Sequence, residues 1–348
     1  MNPLRLWLPL VILLLFAAPA AAQRPDLSPL ETTFKQITDR ARGRVGAALI
    51  HLESGMTLEI RGHERFPMAS VVKLPVAIEV LNQVAERKLT LDRVVWLGPA
   101  DIRPCCTLER HHPNGGVART VAELLTLAMI ESDNTAADAL LKLVGGVDVV
   151  ERRLRSMGFE AINVNRTEGQ LLLDMAGVTN APPPEQWTVE LQRRLVAEVD
   201  RASLSQGRVR YLSDERDTAT PAEMARLLGR LQLGDLLPPA QTQLLLDLMM
   251  QTKTGSRRLK GRLPTDTIVA HKTGTTAVVI NDAGIVTLPS DSKIGGSFAL
   301  AVFVADGSRI ASMERVIAQL GAAAFEFFTG RTIPPPPPPQ RRRRSRAD

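Results

Sequence analysis

Cysteine is nearly absent: Cys105 and Cys106, side by side, are the only two among 348 residues. No disulfide framework can therefore hold the fold together. A bridge between neighbours is a strained arrangement, so two free thiols are expected. Long apolar runs are equally scarce. The only one, Leu6 to Ala18, follows Arg5 and leads to Ala20-Ala21-Ala22 before Gln23. That is the layout of an export signal over residues 1–22, with an A-x-A cleavage site. The run is short for a membrane span, and no cysteine lies near the cleavage site to carry a lipid. An exported protein is expected, periplasmic or secreted, with no stable membrane anchor.

Motifs for several chemistries are missing too. His111, His112 and His271 stand in no metal-binding spacing, so neither a metal nor another cofactor is expected. No G-x-S-x-G occurs, which argues against an α/β-hydrolase. The formal charge is +6, but Arg341 to Arg344 and Arg346 against Asp348 supply four of those charges. A nearly neutral body gives no reason to expect nucleic acid as a partner. The tail from Pro334, a proline run followed by arginines, cannot pack. It is expected to be disordered or polyproline-II, with at most a weak contact to an anionic surface.

What is present reads as one organised chain. After a short helical lead from Pro29 to Ala41, Val45–His51 and Met56–Ile60 flank Leu52-Glu53-Ser54-Gly55 as a hairpin. Pro67 marks a break before a helix from Ser70 to Arg87. Leu89 to Asp101 is mixed in pattern and Pro104 to Gly116 reads as a loop. Helical periods follow over Val121–Ile130, Thr135–Leu143 and Val147–Met157. Residues 168–217 read as a long loop containing one helix, Glu185 to Ser203. Helices from Pro221 and Pro239 come next, and strand signals return at Thr267–Thr273, Ala283–Leu288 and Phe298–Val304 before a last helix, Met313–Phe328. Strands at both ends with helices between predict an α/β fold: an antiparallel sheet built from the two chain ends, flanking helices, and an all-helical insertion.

The chemistry gathers in three motifs. Ser70-x-x-Lys73 puts a hydroxyl and an amine on one helix face, near an N-terminus that favours developing negative charge. Ser132-Asp133-Asn134 opens a helix and offers a hydroxyl able to pass a proton. Lys272-Thr273-Gly274 lies on a strand and offers a cation, a donor and a glycine for close backbone approach.

This set, in this order, resembles the class A serine β-lactamases and the related penicillin-binding proteins. The flanks agree: Phe66-Pro67-Met68-Ala69, Asp217-Thr218-Ala219-Thr220-Pro221, Thr254 to Lys260, and Asn281-Asp282-Ala283-Gly284. The resemblance implies a β-lactamase/transpeptidase-like domain over residues 23–333, with sheet parts near 23–69 and 250–333 and a helical part near 70–249. It implies a monomer that opens small β-lactam substrates through an acyl-enzyme. Ser70 would be the nucleophile, with Lys73 and Ser132 moving protons, and Glu168, at the entry to an Ω loop spanning 166–217, activating the deacylating water. The amides of Ser70 and Thr275 would form the oxyanion hole. Lys272, Thr273, Thr275 and Arg258 would hold the substrate carboxylate, and Asn134 its acylamide. Arg166 would pair with Asp217 across the loop neck.

Two departures bear on deacylation. The asparagine that usually follows the glutamate by four residues is here Leu172, which cannot hold a water; Gln170 is the nearest amide left. The Ω loop is also much longer than usual. A slowly deacylating penicillin-binding protein or D-Ala-D-Ala peptidase, and a noncatalytic exported binding protein, are the alternatives.

Overall fold

A computed structural model describes residues 25–307 and 309–334. The signal segment and nearly all of the proline–arginine tail lie outside the described residues. In chain order, α1 (Ser28–Asp39) leads into the hairpin β1 (Arg44–His51) and β2 (Thr57–Ile60), then the short strand β3 (Phe66–Pro67). A single 3₁₀ turn, Ala69–Val72, carries Ser70 into α2 (Lys73–Ala85). A ribbon of β4 (Val94–Leu97) and β5 (Val117–Thr120) encloses α3 (Cys106–His111). Next come α4 (Val121–Ile130), α5 (Asn134–Val144), α6 (Val147–Ser156), α7 (Glu168–Ala176), α8 (Val189–Ala197) and α9 (Arg201–Ser213). The chain closes with β6 (Thr218–Ala219), α10 (Pro221–Gln232), α11 (Pro239–Met250), β7 (Val269–Thr275), β8 (Val279–Thr287), β9 (Ser297–Ala305) and α12 (Ile310–Thr329).

Five strands form one antiparallel sheet in the order β2-β1-β9-β8-β7. Both ends of the chain thus build the sheet, as expected. Its central strand is buried on both faces, which explains the unbroken apolar run of β9. Phe298, Leu300, Val302 and Val304 join α1 and α12 on one side; Ala299, Ala301, Phe303 and Ala305 meet the helical part on the other. That two-residue alternation separates the two cores.

Helix α2 is buried from Lys73 to Leu81, so Lys73 starts a central core helix. Neighbouring helices begin where side chains can serve the first free amides. Thr120 and Glu123 form a capping box for α4, and Asp133 Oδ1 accepts the amide of Ala136 at the start of α5.

Two expectations change here. Pro104–Gly116 is not all loop, because α3 starts at Cys106. Residues 168–217 are not a loop with one helix but three helices. Thr167 and Gln170 form a capping box that starts α7, while Asp200 accepts the amides of Ala202 and Ser203 and so opens α9 inside the stretch read as a single helix.

Candidate active site

Ser70 sits where β3 turns into α2. Ala69, just before it, holds a left-handed φ of 47°, and Ser132, across the cleft, one of 61°. For residues other than glycine these are strained positions that only well-packed surroundings maintain. Asn281 supplies part of that packing, donating from Nδ2 to the carbonyls of Pro67 and Met68 at 2.8 and 2.9 Å. Gly274 on β7 supplies the rest. A Cβ there would meet the Met68 carbonyl oxygen at 2.3 Å, so only glycine lets the strand approach the serine turn.

Lys73 is the hub. Its Nζ, in a side chain 1% exposed, donates to Ser70 Oγ at 3.2 Å, to the Ser132 carbonyl at 2.6 Å and to Asn134 Oδ1 at 2.7 Å. It also lies 3.1 Å from Glu168 Oε1. That last contact is an ion pair without hydrogen-bond alignment, for Oε1 is buried with no aligned donor. Ser132 Oγ receives Lys272 Nζ at 2.8 Å and stands 3.4 Å from Lys73 Nζ. One hydroxyl is thus shared by two cations. Burial, reinforced by the charge of Lys73, pushes the Lys272 ammonium well below the usual lysine value.

On the β7 side, Thr273 Oγ1 shares a hydrogen bond with Thr254 Oγ1 at 2.6 Å. Arg258 lies beneath the strand. Its guanidinium donates to the carbonyls of Gly274 and Asn281 at 3.0 and 2.8 Å and to Thr275 Oγ1 at 2.7 Å. Thr275 is its route to the cleft. Across the cleft, Arg166 closes the neck of the long segment with Nε 2.5 Å from Asp217 Oδ2, and Asp174 and Asp214 also engage it at 3.0 and 3.2 Å. The Asp217 carbonyl in turn accepts the amide of Met68 at 2.9 Å, so the neck rests directly on the serine turn.

The sequence of this chain matches the model of the β-lactamase enzyme family over residues 29–328. An ancestral class A β-lactamase of known structure is 32% identical, with a TM-score of 0.70, and the alignment covers 86% of this chain and all of that one. The chain belongs to the class A β-lactamases. A β-lactamase structure from Chitinophaga pinensis is similarly close, at 31% identity and a TM-score of 0.71, with 86% and 99% of the two chains covered. Among curated relatives, β-lactamase VEB-1 of Pseudomonas aeruginosa is 28% identical over 87% of this chain and 91% of its own length.

In this class A enzyme the motif residues border a cleft of about 350 Å³. Ser70, Ser132, Asn134, Glu168, Thr273 and Thr275 line it, with Leu172 and Met175 from α7. The Leu172 side is apolar, and Gln170 does not compensate: its Oε1 accepts the amide of Thr167 at 2.9 Å within the capping box. Asp138, which sequence reasoning missed, fixes the glutamate instead. It accepts the amides of Glu168 and Gly169 at 2.7 and 3.2 Å and pairs with Arg103 Nε at 2.7 Å. Burial holds its carboxyl above the usual range, opposed by Arg103. Its sequence signal, one acid among the alanines and leucines of α5, was weak.

The cysteines correct a further expectation. Cys105 and Cys106 are bridged to one another rather than free. Both adopt positive φ, 102° and 83°, a backbone bend that brings neighbouring side chains to the same side. Nothing in the local sequence signals that bend.

Proposed function

We propose that this protein is an exported enzyme that hydrolyses β-lactams through a Ser70 acyl-enzyme. The observation that carries this reading is the convergence of Ser70 Oγ, Ser132, Asn134 and Glu168 Oε1 on one ammonium, Lys73 Nζ. Ser70 Oγ attacks the lactam carbonyl. Lys73 Nζ, which touches both Ser70 and Glu168, gives a proton to the Glu168 carboxylate and takes the one that Ser70 loses. The ring C–N bond breaks, and Ser132, braced by Lys272, hands its proton to the departing nitrogen and is resupplied by Lys73 Nζ, which recovers one from Glu168. The amides of Ser70 and Thr275 receive the oxyanion. Lys272, Thr273 and Thr275 hold the substrate carboxylate, with Arg258, itself paired with Glu314, orienting Thr275 from below.

Glu168 then takes a proton from a water that attacks the acyl carbon, and Ser70 leaves as the alcohol. Arg166 and Asp217 hold the enlarged loop closed. One observation favours slow deacylation, of the penicillin-binding kind. Leu172 lines the cleft with Glu168, and Gln170 is committed to its cap. The test is turnover of a chromogenic cephalosporin by the protein from residue 23 onward. Steady hydrolysis that disappears in Ser70→Ala supports the reading; no hydrolysis and no Ser70 adduct would end it.

A further inference from the structure

The cleft has two chemically different ends. Thr254, Thr273, Thr275 and Thr276 line one, over the buried Lys272; Pro104, Cys105, Cys106, Leu172 and Met175 line the other, which has the Glu168 carboxylate at the start of α7 beside it. A substrate whose carboxylate lies at the lysine end directs its opposite substituent toward the disulfide. Cys105 is exposed and Cys106 half-buried, so the S–S bond is open to solvent as well as to the cleft.

The bridged turn is tied to the catalytic apparatus on both sides. The Cys105 amide donates to Glu109 Oε2 at 2.9 Å, and Glu109 pairs with Arg193 on α8 of the enlarged loop. Cys106 Sγ sits 3.7 Å from the Ser132 carbonyl oxygen, the same oxygen that accepts Lys73 at 2.6 Å. The left-handed backbone at both cysteines is unfavourable for L-residues. The covalent ring holds it there, and without the ring the turn is free to relax.

We propose that the Cys105–Cys106 disulfide is a redox-sensitive wall of the cleft that sets affinity for the substituent opposite the substrate carboxylate. The inference rests on the β-lactamase reading above. Dithiothreitol supplies two electrons and two protons: the S–S bond breaks, two S–H bonds form, and the reagent closes to its own cyclic disulfide. The wall then loses its fixed shape, while the contacts of Lys73 to Ser70, Asn134 and Glu168 involve neither cysteine.

The test compares benzylpenicillin, which carries a phenylacetamido group, with 6-aminopenicillanic acid, which carries only an amine there. In the reduced protein, with the reagent's own rate on each substrate subtracted, KM for benzylpenicillin is expected to rise at least fivefold. Its kcat, and both constants for 6-aminopenicillanic acid, change less than twofold. Reoxidation restores the starting values. Cys105→Ser/Cys106→Ser gives the same pattern without reductant; if that variant does not fold, the reversible change in the wild type carries the test. Calorimetric binding of the two penicillins to Ser70→Gly, oxidised and reduced, reads the wall even without turnover. A missing turnover therefore counts against the β-lactamase reading alone. Equal shifts for both penicillins, no shift for either, or an intact mass that does not rise by about two hydrogens on reduction overturns the proposal.

Discussion

Asp138 Oδ1 accepts the backbone amide of Glu168 at 2.7 Å, so the first turn of α7 is anchored to α5 as well as to its own loop. Asp138→Ala strands the two amides and leaves Arg103 buried without its carboxylate. Breaking such a pair costs about 3–5 kcal/mol. Denaturant unfolding should show a loss of that order, and single-turnover kinetics should show deacylation slowed at least tenfold while acylation changes less than threefold. Asp138→Asn keeps one acceptor and should fall between. Equal slowing of both steps would contradict a positioning role for Asp138 toward Glu168.

Gly274 makes a second relationship testable. The Cβ added by Gly274→Ala would lie 2.3 Å from the Met68 carbonyl, and backbone must move to admit it. The serine turn is what gives. Because a displacement of about 1 Å can cost roughly 100-fold, the acylation rate is expected to fall by about that factor, measured by stopped-flow with a chromogenic cephalosporin. A variant that acylates at the wild-type rate rules out close strand approach as the reason for glycine.

The depressed Lys272 ammonium predicts a pH dependence. Only the protonated form attracts a carboxylate, and rising pH removes its proton well before an ordinary lysine would lose one. The alkaline limb of kcat/KM should therefore begin well below the usual lysine range. Lys272→Arg, charged throughout, should move it upward. For stability the sign is set by proton counts: between the lowered native value and the ordinary one, the unfolded chain binds more protons, so this group makes stability rise with pH across that window. An alkaline limb unmoved by Lys272→Arg would detach it from this lysine.

Leu172→Asn places an amide in the cleft with Glu168. If the missing amide limits the second half-reaction, the deacylation rate constant should rise several-fold with acylation unchanged. Burst amplitudes with a slow cephalosporin measure both. A slower or unchanged deacylation means that the enlarged loop has found another way to hold the water.

The terminal strands and the three motifs were legible in the sequence because each rests on local signals. Strand propensity and turn chemistry marked the hairpin, late strand signals marked β9, and breaks such as Pro67 placed Ser70 at a helix start. The enlarged loop was less legible. Thr167 and Gln170 spelled a capping box, yet Pro182-Pro183-Pro184 drew attention to a loop, and the boundary at Asp200 hid inside one helical period. The cysteine bridge and Asp138 were not legible, the first because it needs an unusual backbone bend and the second because its partners are distant in sequence. The positive φ at both cysteines accompanies the bridge and has no local marker, and Asp138 acquires meaning only when α7 docks on it. Arg258 carried the right charge, but its burial under β7 comes from the sheet register.

The central claim is that Glu168 delivers the water that frees Ser70. Time-resolved intact mass with benzylpenicillin, wild type beside Glu168→Gln, measures it directly. The account predicts a Ser70 adduct of one penicillin that the wild type clears and Glu168→Gln retains for at least a hundredfold longer. Equal adduct lifetimes in the two proteins would contradict it.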